Sequence, residues 1–207
     1  MKRVTIYGLP RTGTNYLEFL MRNNIECLYE NRYLDKNESY TVTHTDIALK
    51  HCRPKKEYSD YHIFILKKFK NFLPSFLNRD IRGENDPYDV YNKAINDYLT
   101  FFMDNIDESI IVYHEDLLEN ESEFLWYTST KFGLPIKHSY YDIITTDKRL
   151  NTSGGNGTLS EKYGGIPNNK EVDTTKIDDT IFRIDDVCWK KSDNDDFINV
   201  WNKTWIY

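Results

Sequence analysis

Apolar residues recur along this chain in two rhythms. Val4-Thr5-Ile6, His62-Ile63-Phe64-Ile65-Leu66 and Ser109-Ile110-Ile111-Val112-Tyr113 are short, β-branched or continuously apolar runs, as expected of strands buried on both faces of a parallel sheet. Between them, Tyr16, Leu17, Phe19, Leu20 and Met21 repeat at three- and four-residue steps, and so do Phe69, Phe72, Leu73, Phe76 and Leu77. That spacing predicts amphipathic helices. Asn23 and Asn24 close the first helix. Ile25 to Leu34 holds a short second strand, and Tyr40-Thr41-Val42-Thr43 reads as another, delivering His44 at its carboxyl end. A long helix covers 86–105, N-capped by Asp86 with Pro87 at its first position. Pro74 is tolerated only in a first helical turn, which places the start of its helix near Asn71. After Tyr113 a single helix is expected from His114 to about Phe132, stopped by Gly133 with Pro135 just beyond. The pattern weakens from Tyr140, and residues 193–207 carry the apolar spacing of a final helix. Strands alternating with helices predict one α/β domain over residues 1–207 with a mainly parallel sheet.

Composition narrows the class. The chain has 207 residues, 39% of them hydrophobic and 15% aromatic, enough for one adequate core. A net charge of −6 argues against a general nucleic-acid binder. The charge is uneven, with nine Lys/Arg against three Asp/Glu from Lys50 to Arg82, and nine acidic against four basic residues from Glu171 to Asp196. A basic middle in an acidic chain suits a small anion held in one cleft. Cys27, Cys52 and Cys188 form no C-x-x-C pair and read as reduced, structural residues. The first residues lead straight into a strand and no apolar run reaches membrane-spanning length, so the expectation is a cytoplasmic protein with no membrane partner.

The chemistry concentrates in Tyr7-Gly8-Leu9-Pro10-Arg11-Thr12-Gly13-Thr14-Asn15, where a strand ends, a glycine-bracketed turn follows and a helix begins. Such a junction turns free backbone N–H groups and the positive end of a helix toward one point. Arg11 adds a fixed charge, and Thr12 and Thr14 add hydroxyl donors, so the expected ligand is a phosphate. Gly8 and Gly13 have the spacing of a nucleoside-triphosphate loop, but Thr14 and Asn15 stand where that loop needs Lys and Ser/Thr, which disfavours ordinary ATP or GTP hydrolysis. A second anion site is predicted where the strand 62–66 ends in Lys67-Lys68. Asn71, Ser75 and Arg79 follow at four-residue steps and share one helix face. His44, at a strand's carboxyl end, stands where open α/β sheets place their ligands.

Leu9-Pro10-Arg11-Thr12-Gly13-Thr14 resembles the 5′-phosphosulfate loop of sulfotransferases that use 3′-phosphoadenosine 5′-phosphosulfate (PAPS). Lys67, Ser75 and Arg79 have the spacing of that family's 3′-phosphate motif, with Lys67 in place of the usual Arg and Asn71 in place of the usual Asp. Tyr113-His114-Glu115-Asp116-Leu117 is similar to the strand end that lies near the adenine, and Lys148-Arg149, ahead of the Gly-rich stretch 153–165, to the late loop that closes over the 3′-phosphate. The resemblance spans roughly residues 3–134. It implies a three-layer α/β/α fold of P-loop-like sulfotransferase topology, with PAPS as co-substrate, adenosine 3′,5′-bisphosphate (PAP) as product and no metal. Arg11, Thr12, Gly13, Thr14 and Asn15 would hold the phosphosulfate, with Arg11 also stabilising the leaving phosphate. Lys67, Ser75, Arg79, Tyr113, Lys148 and Arg149 would hold the rest of the nucleotide. His44 would be the base toward the hydroxyl or amine of a small-molecule or carbohydrate acceptor, with Glu26 and Glu30 in reserve. A non-catalytic nucleotide-binding protein of the same fold and an atypical P-loop kinase are the alternatives.

Overall fold

A computed structural model describes residues 1–30, 32–35, 40, 46–77, 86–138, 142–145 and 174–191. It is an α/β protein in which four parallel strands form a sheet flanked by helices. The strands are β1 (Arg3–Tyr7), β2 (Leu28–Tyr29), β5 (Tyr61–Leu66) and β6 (Ser109–Tyr113), in the spatial order β2-β1-β5-β6. A separate antiparallel ribbon pairs β3 (Tyr33–Asp35) with β4 (Asp46–Ala48). The helices are α1 (Thr14–Asn24), α2 (Phe69–Leu77), α3 (Pro87–Asp104), α4 (His114–Glu119), α5 (Glu121–Phe132) and α6 (Thr180–Val187).

Side chains alternate across the sheet, and each face has its own core. Val4, Ile6, Ile63, Ile65, Ile110 and Val112 face Tyr16, Leu17 and Leu20 of α1 and Phe124, Leu125 and Phe132 of α5. Tyr7, Phe64, Leu66, Ile111 and Tyr113 face α2, α3 and Ile184 of α6. Burial on both sides is why the strands read as unbroken apolar runs. From β1 the chain crosses to β2 on one side and later returns to β5 on the other. The strand order therefore reverses between β1 and β5, and the carboxyl ends of those strands open onto the crevice where such sheets bind ligands.

The expected strands at β1, β5 and β6 are present, and Asp86 caps α3 by accepting the Tyr88 N–H at 2.8 Å. Other elements differ from the sequence reading. The single helix expected over 114–132 is two helices, broken at Asn120, whose backbone leaves the helical region (φ −139°, ψ 47°) and whose amide donates to the Asp116 carbonyl at 3.0 Å. A short side-chain amide that bonds its own backbone competes with the helical ladder. α2 begins at Phe69, not Asn71, because Phe69 packs on Tyr88 and Tyr91 and the Lys68 carbonyl accepts from Asn71 and Phe72. Pro74 then falls in the second turn. The expected second strand is two short pieces, β2 and β3, in different sheets. Cys27, Cys52 and Cys188 are free thiols. The expected strand over 40–43 beyond Tyr40, the Gly-rich stretch 153–165 and the helix over 193–207 lie outside the described residues.

Candidate anion-binding site

The loop after β1 lies directly against the end of β5. A Cβ on Gly8 would fall 2.7 Å from the Ile65 carbonyl oxygen, so only glycine allows this approach. Thr12 is fully buried, and its hydroxyl and backbone N–H both donate to the Leu9 carbonyl, at 2.7 and 3.2 Å. The hydroxyl expected to meet a phosphate therefore closes the turn instead. Gly13, at φ +96°, is the N-cap of α1 and supplies no side-chain cap, which leaves the first N–H groups of the helix facing the crevice. Arg11 has φ +77°, the one non-glycine residue in the left-handed region among those described. Its half-buried guanidinium has no carboxylate partner there.

At the end of β5, Lys67 donates from Nζ to Ser75 Oγ at 2.9 Å, so the two residues predicted at eight-residue spacing meet across the first turns of α2. Burial lowers the pKa of the Lys67 ammonium. Glu115 opposes that shift and Arg11 adds to it, which brings the cations of the two strand ends into one electrostatic neighbourhood. Glu115 reaches the same place from α4. Its carboxylate accepts from the Lys68 N–H at 3.3 Å and from the Asn71 amide at 2.6 Å.

Two residues that sequence reasoning did not assign, Lys50 and His51, also converge here, together with His114, which the resemblance set near the adenine. The short 3-10 segment Leu49–His51 backs onto the loop, with the Lys50 carbonyl accepting the Gly8 N–H at 2.8 Å. Lys50 Nζ donates to Asn15 Oδ1 at the start of α1, and His51 Nδ1 donates to the Gly8 carbonyl at 2.7 Å. That bond fixes the tautomer and leaves Nε2 of His51 as the basic nitrogen. From the end of β6, His114 packs its ring edge on Gly13, where a Cβ would lie 2.9 Å from Nε2. Burial, with Lys67 adding and Glu115 opposing, holds His114 down to about 4.

Other predicted residues are placed differently. Tyr113 points into the core at 3% exposure, with its hydroxyl donating to Asp185 of α6 at 2.6 Å. Glu26 is exposed beyond the far end of α1, roughly 16 Å along the 11-residue helix from Gly13. Glu30 donates its N–H to the Val4 carbonyl, halfway down the sheet. Neither carboxylate is brought to the loop. His44, Arg79, Lys148 and Arg149 lie outside the described residues. Among the described residues, no three His, Cys, Asp or Glu side chains form a group that could hold a metal ion, and no helix is long and apolar enough to cross a membrane. No protein-family model matches this chain, and neither does any curated protein or solved structure.

Proposed function

We propose that the protein is a sulfotransferase that moves a sulfuryl group from PAPS to the hydroxyl or amine of a small acceptor. The observation that carries the reading is the convergence at one topological switch point of the loop after β1, which carries Arg11 and leaves α1 without a side-chain cap, and the end of β5, where Lys67 holds Ser75. Two cations beside helix starts attract anions, and Glu115 supplies only one negative charge against them. A bisphosphorylated nucleotide supplies two phosphates. The four-stranded parallel sheet is read as the core of the P-loop-like sulfotransferase topology, in which the uncapped start of α1 with Arg11 takes the 5′-phosphosulfate and Lys67 with Ser75 takes the 3′-phosphate.

In the proposed reaction the acceptor's proton passes to a histidine as its oxygen or nitrogen bonds to sulfur. The bond from sulfur to the 5′-phosphate breaks, and the electron pair stays on that phosphate, opposite Arg11 and the N-terminus of α1. Two histidines are candidates for the base. His44 is supported by its sequence position, and His51 by its fixed tautomer beside Gly8.

PAP is expected to bind more tightly than ATP and without magnesium, because the loop lacks the lysine and hydroxyl that grip a triphosphate and its metal. At about 100 times its dissociation constant it should stabilise the fold by ~2.7 kcal/mol, seen as a thermal shift. An equal or larger shift with Mg-ATP and none with PAP alone would favour a kinase. Tight PAP binding without sulfuryl transfer to any of a panel of sugars, phenols and amines would leave a nucleotide-binding protein.

A further inference from the structure

The ends of β1 and β5 account for the proposed anion site, but a third parallel strand also ends there. β6 pairs with β5 up to Leu66↔Tyr113, so His114 is the first residue beyond the sheet, level with Lys67. Its ring edge lies on the α-carbon of Gly13, at the left-handed turn that opens α1. This is the end of α1 that no side chain of its N-cap residue covers. Among the described residues, few groups face the imidazole. Lys67 approaches from the end of β5, with Arg11 behind it in the loop, and Glu115 follows on α4 itself. Tyr16 of α1 meets the ring edge-on at 6.2 Å, and its hydroxyl is tied to Glu121 of α5. Lys67 outweighs Glu115 at the imidazole, and the Glu115 carboxylate is turned toward the Lys68 N–H and the Asn71 amide.

We propose that His114 is the third side chain of the anion site, and that it takes up a proton when a doubly charged anion fills that site. The inference rests on the anion site of the preceding reading, not on sulfuryl transfer. In the free protein partial burial beside Lys67 favours the neutral His114 ring, which is held down to about 4. An anion between Arg11, Lys67 and the start of α1 reverses the local sign, and the same burial then strengthens its attraction for an imidazolium. Each unit by which the ligand raises His114 is a tenfold gain in affinity of the protonated protein for the anion. Gly13 has a second reason to be glycine in this arrangement, since any side chain would push the imidazole away from the anion.

The test follows the His114 ring by NMR between pH 4 and 8, free and saturated with inorganic sulfate, which stays doubly charged across that range, and in parallel with PAP. The expected result is an upward shift of about two units with either ligand, which makes sulfate binding about tenfold tighter at pH 5 than at pH 8. His114→Gln should bind both ligands but lose the pH dependence. If that variant fails to fold, the buffer dependence of the wild-type binding enthalpy counts the proton directly. PAP binding with His114 unmoved overturns the inference and leaves the nucleotide reading intact. Sulfate binding with proton uptake, but no PAP binding, overturns the nucleotide reading and leaves the inference intact. Binding of neither anion overturns both.

Discussion

Arg11 combines three properties that rarely coincide: a left-handed backbone, half-burial and the lack of a carboxylate partner among the described residues. A bulky residue at positive φ is held there by its surroundings at a cost of order 1–3 kcal/mol, and such positions cluster at ligand sites. Glu115 is the counterweight. It occupies the Lys68 N–H just ahead of α2 and raises the Lys67 pKa, so it competes with any phosphate drawn to that helix end. The two neighbours of Lys67 should therefore act in opposite directions on a 3′-phosphate. Ser75→Ala removes a hydroxyl that Lys67 holds in place, and should weaken PAP by ~1.5–3 kcal/mol while leaving 5′-AMP nearly unchanged. Glu115→Gln keeps an acceptor for Lys68 and Asn71 but removes the charge, and should tighten PAP by about 1 kcal/mol or more. Titration calorimetry with PAP and AMP reads both effects. If Glu115→Gln weakens PAP, or Ser75→Ala weakens AMP equally, the start of α2 does not bind the 3′-phosphate.

At the level of elements, the glycines of the two left-handed turns offer an internal control. Gly133 ends α5 at φ +61° with nothing within 4 Å of where a Cβ would stand, whereas Gly13 opens α1 at φ +96° against the His114 ring. Gly133→Ala should cost only the backbone term, about 1 kcal/mol. Gly13→Ala adds displacement of His114 and should cost at least twice as much in urea unfolding, with loss of anion binding. Equal costs would mean that the His114 contact yields freely. The elements legible in the sequence were those whose signal is local. Unbroken apolar runs gave β1, β5 and β6, the Asp86-Pro87 cap gave the start of α3, and Gly133 gave the end of α5. Lys67 and Ser75 were legible because both belong to one strand–helix junction. Lys50 and His51 were not, since each reaches the loop by tertiary packing that no spacing encodes, and His114, which the resemblance set near the adenine, is packed on Gly13. The break at Asn120 was hidden by helix-forming neighbours on both sides, and the early start of α2 by aromatic contacts with α3.

Across the whole molecule, the sheet that presents the site is also where acid should act. His62 lies in β5 between β1 and β6, fully buried, stacked on Tyr7 at 5.8 Å and edge-on to Phe101 at 4.7 Å. Among the described residues, neither ring nitrogen meets a partner in hydrogen-bonding geometry. Burial pushes the imidazole down to about 4, with the Ser59 backbone opposing and Lys56 adding to the shift. The unfolded chain therefore binds this proton from about pH 6.5 downward, while the folded protein resists it until about pH 4. The neutral ring's contribution is complete above pH 6.5, fades as pH falls through that window, and amounts to about 3 kcal/mol by its lower end. His114 is depressed in the same direction and adds to the trend. The half-buried carboxylate of Asp60, lowered chiefly by the Arg3 N–H, acts only at more acid pH. His62→Leu keeps an apolar side chain between Tyr7 and Phe101 and removes the titration. Its urea stability should fall by about 3 kcal/mol less than the wild type's between pH 7 and pH 4, whatever its stability at neutral pH. PAP should also protect the wild type more at pH 5 than at pH 8 if His114 takes up a proton on binding, an effect that His62→Leu would leave in place. A variant whose stability declines as steeply as the wild type's over that interval would mean that His62 is reached by water before the sheet opens, and that acid enters elsewhere.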